Sequence, residues 1–358
     1  MFKTLGIFLL LLIAQINATC VIDAAYGQTT NRIFATISRN RLEILRKNAV
    51  PNGTKLRVLC SETNYVDSTC RNGQFSPALP TTNCSPKPDP KHEAVQDASC
   101  PAPATMYRMG YRLGPNHFLE IYRSCYDVTS QRSLFSIHEI DSDTMNPPRT
   151  GCWRVTDVVV IIPSFQAKNI YRRFNEIFNN QQTYITSPGR PYKFNRGHLT
   201  PSADFGFCDQ MRATFRYINV VAQFADVNDS NWSRVENWVR RMRDRYGKMT
   251  VCTGGIGVLE LDDVAGNPRD IYLVRGNRNP VPEWTYKIIR SHSNRNIHYA
   301  VITYNHAENP VQPASLCTPL SCVSLGLQVS PAPNSGYTYC CDANDFILRN
   351  VQNLQNVC

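Results

Sequence analysis

Hydrophobic positions along this chain follow two rhythms. Alternating or β-branched apolar stretches predict strands over residues 53–60, 133–140, 157–165, 249–259, 270–274 and 297–305. Within these, the unbroken run 158–162 predicts a buried central strand. Residues 70–75 read as a turn followed by another strand. One segment steps by threes and fours instead. Trp232, Val235, Val239, Met242 and Tyr246 predict a helix over 228–246, with Arg234, Arg240, Arg241 and Arg243 interleaved. Asn228, Asp229 and Ser230 all suit its N-cap.

Outside these elements the chain is punctuated. Lys3 precedes an apolar run over 7–14 and a polar stretch ending at Ala18, the pattern of a signal peptide over residues 1–18. That run is too short to span a bilayer, and no membrane partner is expected. From Cys84 to Glu93, three prolines alternate with charged residues, which predicts an extended linker over 86–99. The division is then a small β-rich module over 19–85 and a large domain over 100–358.

Cysteine usage sharpens this picture. The chain has 14 cysteines, four before the linker and ten after it, so both sets can close internally. No pair of CxxC motifs occurs, so disulfides are expected and zinc is not, which places the protein in an oxidising, extracellular compartment. Adjacent Cys340 and Cys341 are not expected to pair with each other. The formal net charge of +10 favours a polyanionic partner, without choosing among nucleic acid, anionic membrane and glycan.

Candidate chemistry concentrates in three blocks: Asn195-Arg-Gly-His198, then Asn219-x-x-x-Gln223, then Asn228-x-x-x-Trp232-x-x-x-Glu236. A lone Arg-Gly-His carries no information, but the three in order do. Together they resemble the non-specific DNA/RNA endonuclease family, ββα-metal nucleases that include secreted bacterial enzymes and mitochondrial endonuclease G. Family members carry Asp-Arg-Gly-His, Asn-x-x-x-Gln and Asn-x-x-x-Trp-x-x-x-Glu. The wording Asn-Arg-Gly-His-Leu-Thr-Pro is most similar to an arthropod branch that includes double-stranded-RNA-degrading nucleases. The resemblance covers about residues 100 to 350. One departure stands out: Asn195 replaces the family's aspartate and removes a negative charge.

The resemblance implies an α+β fold: a mixed or antiparallel β-core with flanking helices carrying a ββα-metal motif. It implies a secreted endonuclease acting on DNA and RNA, duplex RNA included, with Mg²⁺ or Mn²⁺ as cofactor and 5′-phosphate products. His198 would be the general base, since a neutral imidazole accepts a proton near neutral pH. Asn228 offers an amide oxygen, a hard ligand suited to Mg²⁺. Glu236, about 12 Å further along a helix axis, is better placed to hold a water than to share the ion's inner shell. Arg149, with Arg154 as the alternative, would meet the phosphoryl oxygens, and Arg196 the substrate backbone. Asn195, Asn219 and Gln223 would support them. Two other readings stay open: a degenerate nuclease that only binds nucleic acid, suggested by Asn195, and a phosphodiesterase for small nucleotides.

Overall fold

A computed structural model describes residues 18–38, 41–115, 117–142, 144, 163–189, 193–308 and 312–358. Nine antiparallel strands build the main sheet, in the order Pro319–Leu320, Thr338–Asp342, His298–Tyr304, Trp284–Ser291, Met249–Ile256, Arg132–Ile140, His117–Asp127, Thr105–Gly114 and Lys91–Val95. The fold is α+β, as expected. Lys91–Val95, inside the proline-rich stretch, lies along the sheet edge as a paired strand.

The central strands bury both faces, and the faces differ in chemistry. Phe135, Cys252, Tyr286, Ile288, Ala300 and Ile302 point to one side and pack with Phe346 and Ile347 of the helix Ala343–Asn350. Residues one step along in register point the other way. Ile140, Met249, Val251, Ile289 and Val301 pack there against Val235, Trp238, Val239 and Met242 of the helix Ser233–Tyr246. Towards the middle of that second face the side chains turn polar: Ser124, Ser136, His138, Thr253, Thr285 and Lys287 are all buried. A polar sheet face is stable in the interior only if something hydrogen-bonds to it. The motif-bearing segment does so, which fixes the site's position.

A second, five-stranded antiparallel sheet runs from Ile33–Ser38 to Gln74–Ser76 and is closed by Cys20–Cys70 and Cys60–Cys84. Its Ile33, Ala35 and Leu59 share one apolar cluster with Met109, Tyr111, Ile121, Phe205 and Met211, so it is docked on the main sheet. Further bridges join Cys100–Cys125, Cys252–Cys358, Cys317–Cys341 and Cys322–Cys340, and Cys208 is also disulfide-bonded. Cys340 and Cys341 pair with different partners, as their geometry requires.

Several expected elements shift. Residues 157–162 lie outside the described residues, and Pro163–Phe165 is a 3₁₀ turn. The strand from Met249 stops at Ile256, before Gly257 at φ 71°. Helical backbone begins at Ala225, earlier than expected, so Asn228 is not an N-cap. It opens a π-helical turn, Asn228–Trp232, that leads into Ser233–Tyr246. Asn231 explains the widened turn. Its buried side chain donates to the carbonyls of Ser330 and Gly336 and accepts from the Ser330 amide, pulling that residue inward.

Candidate active site

Two short strands and the helix that follows carry the three blocks. Phe194–His198 pairs antiparallel with Val220–Phe224, placing Asn195 opposite Gln223 and His198 opposite Val220. The chain then passes through the π turn into the long helix, giving a β-β-α unit. Asn219 precedes the second strand in a 3₁₀ turn and is fully buried. Its carbonyl oxygen Oδ1 accepts from the Thr200 amide, and Nδ2 donates to the carbonyls of Thr200 and Thr214, each at 2.9 Å. It therefore clamps the chain just after His198. Gln223 lies under Gly197, where a Cβ would meet Gln223 Oε1 at 2.6 Å. A side chain at 197 would require the Gln223 amide to shift.

His198 ends the first strand, half-buried, with Phe215 edge-on to its ring at 4.9 Å. Nε2 is buried with no partner among the described residues, which leaves its lone pair available to accept a proton. Burial, reinforced by the nearby Arg196 charge, lowers the imidazole to about 4. At neutral pH it is uncharged. Arg196 itself is exposed. Its charge also reaches Tyr217, whose hydroxyl burial pushes up to about 12.

Asn195 and Asn228 converge on one carboxylate. Asn195 Nδ2 donates to Asp229 Oδ1 at 3.1 Å, and Asn228 Nδ2 donates to the same oxygen at 2.9 Å. No hydrogen bond from the described residues reaches either amide oxygen. Among the described residues no cluster of three or more His, Cys, Asp or Glu side chains could hold a metal ion. The donor set is instead amide oxygens beside a single carboxylate, which fits a small, hydrated divalent cation.

Beneath this cluster runs the polar face of the sheet. Lys287, 1% exposed, directs Nζ to Thr253 Oγ1 at 2.6 Å, to the Leu199 carbonyl at 3.4 Å and over the Trp232 ring at 5.3 Å. Burial lowers its ammonium, and the charges of Glu236 and Asp204 partly offset that. Asp204 accepts from His138 Nε2 and Arg240 Nη1, each at 2.9 Å. Burial alone would raise its carboxyl, but the His138 hydrogen bond and the Arg240 charge hold it well below the ordinary range. Burial lowers His138, so a neutral imidazole donates to an ionised Asp204. Arg240 is thus committed to Asp204 and Asn237, and the Glu236 charge acts on Lys287. Thr200, two residues after His198, joins the same layer through Ser136 Oγ at 2.9 Å.

Of the expected site residues, the structure brings together Asn195, His198, Asn219, Gln223 and Asn228 on one unit, with Arg196 at its rim and Glu236 on its helix. Arg149 and Arg154 lie outside the described residues. Sequence reasoning missed Asp229, Asp204, His138 and Lys287. Only the charge missing at Asn195 hinted that a carboxylate should be sought nearby.

Known proteins are similar to this chain. The DNA/RNA non-specific endonuclease family matches residues 102–346. A salivary endonuclease of Lutzomyia longipalpis is 28% identical over 308 residues, covering 83% of this chain and 73% of that protein. Salivary protein Tsal1 of Glossina morsitans morsitans is 23% identical over 381 residues, covering 95% and 93%. Mitochondrial nuclease EXOG of Homo sapiens is 33% identical over 100 residues, covering 27% and 26%. With its β-β-α unit inside a match that spans most of its length, the chain belongs to the DNA/RNA non-specific endonuclease family.

Proposed function

We propose that this protein is a secreted endonuclease that hydrolyses the phosphodiester bonds of DNA and RNA, duplex RNA included, with Mg²⁺ or Mn²⁺ as cofactor and 5′-phosphate products. One observation carries the reading. His198 is held neutral and its Nε2 has no hydrogen-bond partner among the described residues, on the strand paired with the one that leads to Asn228.

In this reading His198 Nε2 takes the proton of the attacking water. Asn228 holds the cation through its amide oxygen, and the cation, when bound, supplies positive charge to the phosphoryl oxygens. Glu236 orients a water in the cleft, Arg196 grips the substrate backbone, and Arg149 meets the phosphoryl group in transit. Asn195, Asn219 and Gln223 keep these groups in register. None of them acts on a 2′-hydroxyl, so both sugars are substrates.

Secretion is supported by the disulfides and by the salivary relatives, with residues 1–18 as the signal peptide and 19–85 as a module preceding the catalytic domain. The described residues contain no helix long and apolar enough to cross a membrane. The rival reading, capture of nucleic acid without cleavage, rested on the charge lost at Asn195. Asp229 now stands within hydrogen-bonding distance of that position.

The test is end-group analysis of DNA, single-stranded RNA and duplex RNA after digestion, with and without EDTA. The expected result is cleavage of all three, 5′-phosphate ends and abolition by EDTA. Cyclic 2′,3′-phosphates on RNA, with DNA untouched, would overturn it.

A further inference from the structure

Asp229 is an unspecified position of the third sequence block, yet it is where two of the blocks meet. Its Oδ1 accepts the amide N–H of Asn195, from the first strand, and of Asn228, from the helix start. The second contact is unusual, because side chains of consecutive residues on a regular α-helix diverge and do not face each other. Here both residues lie in the π turn, and the buried, fully bonded Asn231 fixes that turn from below.

We infer that Asp229 is the positioning carboxylate of the cation site, holding the Asn195 and Asn228 amides in orientation and returning the negative charge that Asn195 lacks. A carboxylate is acceptor-only, so an amide bound to it must present its nitrogen there and turn its oxygen the other way. Both amide oxygens are thereby aimed away from Asp229 and left available. Two neutral oxygens alone would hold a divalent ion weakly. An ionised group one hydrogen bond behind them strengthens the donors, as outer partners of metal ligands do.

This inference rests on the reading of Asn228 as a ligand, so the experiment separates the two. Mn²⁺ binding to the full-length, disulfide-intact protein is measured by electron paramagnetic resonance without substrate, for the native protein and for N228A, D229N and N195D/D229N. D229N preserves shape, removes the charge and replaces one of the two acceptor oxygens by an amide donor. The expected results are a dissociation constant raised ~10–100-fold in D229N, the range seen when such outer partners are lost, and recovery of affinity in N195D/D229N. Native affinity in D229N, with N228A impaired, would overturn the role of Asp229 and leave the ligand reading intact. Native affinity in N228A would overturn the ligand reading itself.

Discussion

The ammonium of Lys287 lies 3.4 Å from the carbonyl oxygen of Leu199, the residue that follows His198. A buried lysine from the middle of the sheet thus supports the backbone beside the proposed base. Its substitution tests whether this floor is structural, functional or both. In Lys287→Met the Leu199 carbonyl and Thr253 hydroxyl each lose a donor, at roughly 1–3 kcal/mol per unsatisfied buried group. Glu236 also loses its nearby cation. The expected outcome is lower stability in urea unfolding and a lower kcat, with part of the stability regained in K287M/E236Q. Unchanged stability and kcat in K287M would remove Lys287 from the account.

His198→Ala should still fold, because the ring is only half-buried and its Nε2 has no hydrogen-bond partner among the described residues. Turnover should fall ~10²–10⁴-fold, the usual contribution of a general base. Near-native turnover by the purified variant would exclude His198 as the base.

Protonation of His198 gives a sharper reading. Its folded pKa is lowered to about 4, against ~6.5 for a free imidazole. Between those values the unfolded chain binds a proton that the native one does not. The stability contributed by the neutral ring is therefore complete above pH ~6.5 and is lost as pH falls towards the folded value. NMR titration of the metal-free protein should place the His198 midpoint near 4, and Arg196→Gln should move it up by removing a nearby positive charge. A midpoint near 6.5 in the native protein, or no movement in R196Q, would contradict this environment.

Gly197→Ala places a methyl group 2.6 Å from Gln223 Oε1 and 3.1 Å from its Cβ. The Gln223 amide must move, and any part of the strain it does not absorb is passed to the strand carrying His198. Displacements of this size cost up to ~10²-fold in rate. Gln223→Ala should restore part of the activity to the G197A variant. Full activity in G197A alone would show that the packing tolerates the methyl.

Asn219→Ala removes three hydrogen bonds at once and leaves Thr200 and Thr214 backbone groups unpaired in the interior. A loss of roughly 2 kcal/mol or more is expected, at ~1–3 kcal/mol per buried unsatisfied group. Denaturant midpoints for N219A within error of the native protein would show that water replaces the side chain.

The site was legible where its residues act through local sequence. Asn195-Arg-Gly-His198 and Asn228-x-x-x-Trp232-x-x-x-Glu236 are contiguous blocks, and the apolar stripe of the helix from Val235 to Met242 marks its buried face. The supporting floor was hidden by the rule that reads strands. Ser136 and His138 alternate with Phe135 and Ile137, and Thr253 and Lys287 sit between apolar neighbours. That alternation normally marks a solvated face. Here the face is covered by the β-β-α unit itself, through contacts such as that of Lys287 with Leu199, 88 positions apart. Asp229 was missed for a related reason: adjacent residues on an ideal helix do not cooperate, and the π turn that joins Asp229 to Asn228 depends on Asn231 reaching Ser330, 99 residues away.

The Cys252–Cys358 bridge closes a span of 106 residues and anchors a strand at the centre of the sheet. A growing chain exposes Cys252 long before its partner emerges. Throughout that interval the thiol of a core strand is open to wrong partners, Cys317 and Cys322 among the next to appear. Correct oxidation of this strand therefore waits until the chain 106 residues further on has been made, and wrong pairings formed before then are repaired by thiol–disulfide exchange.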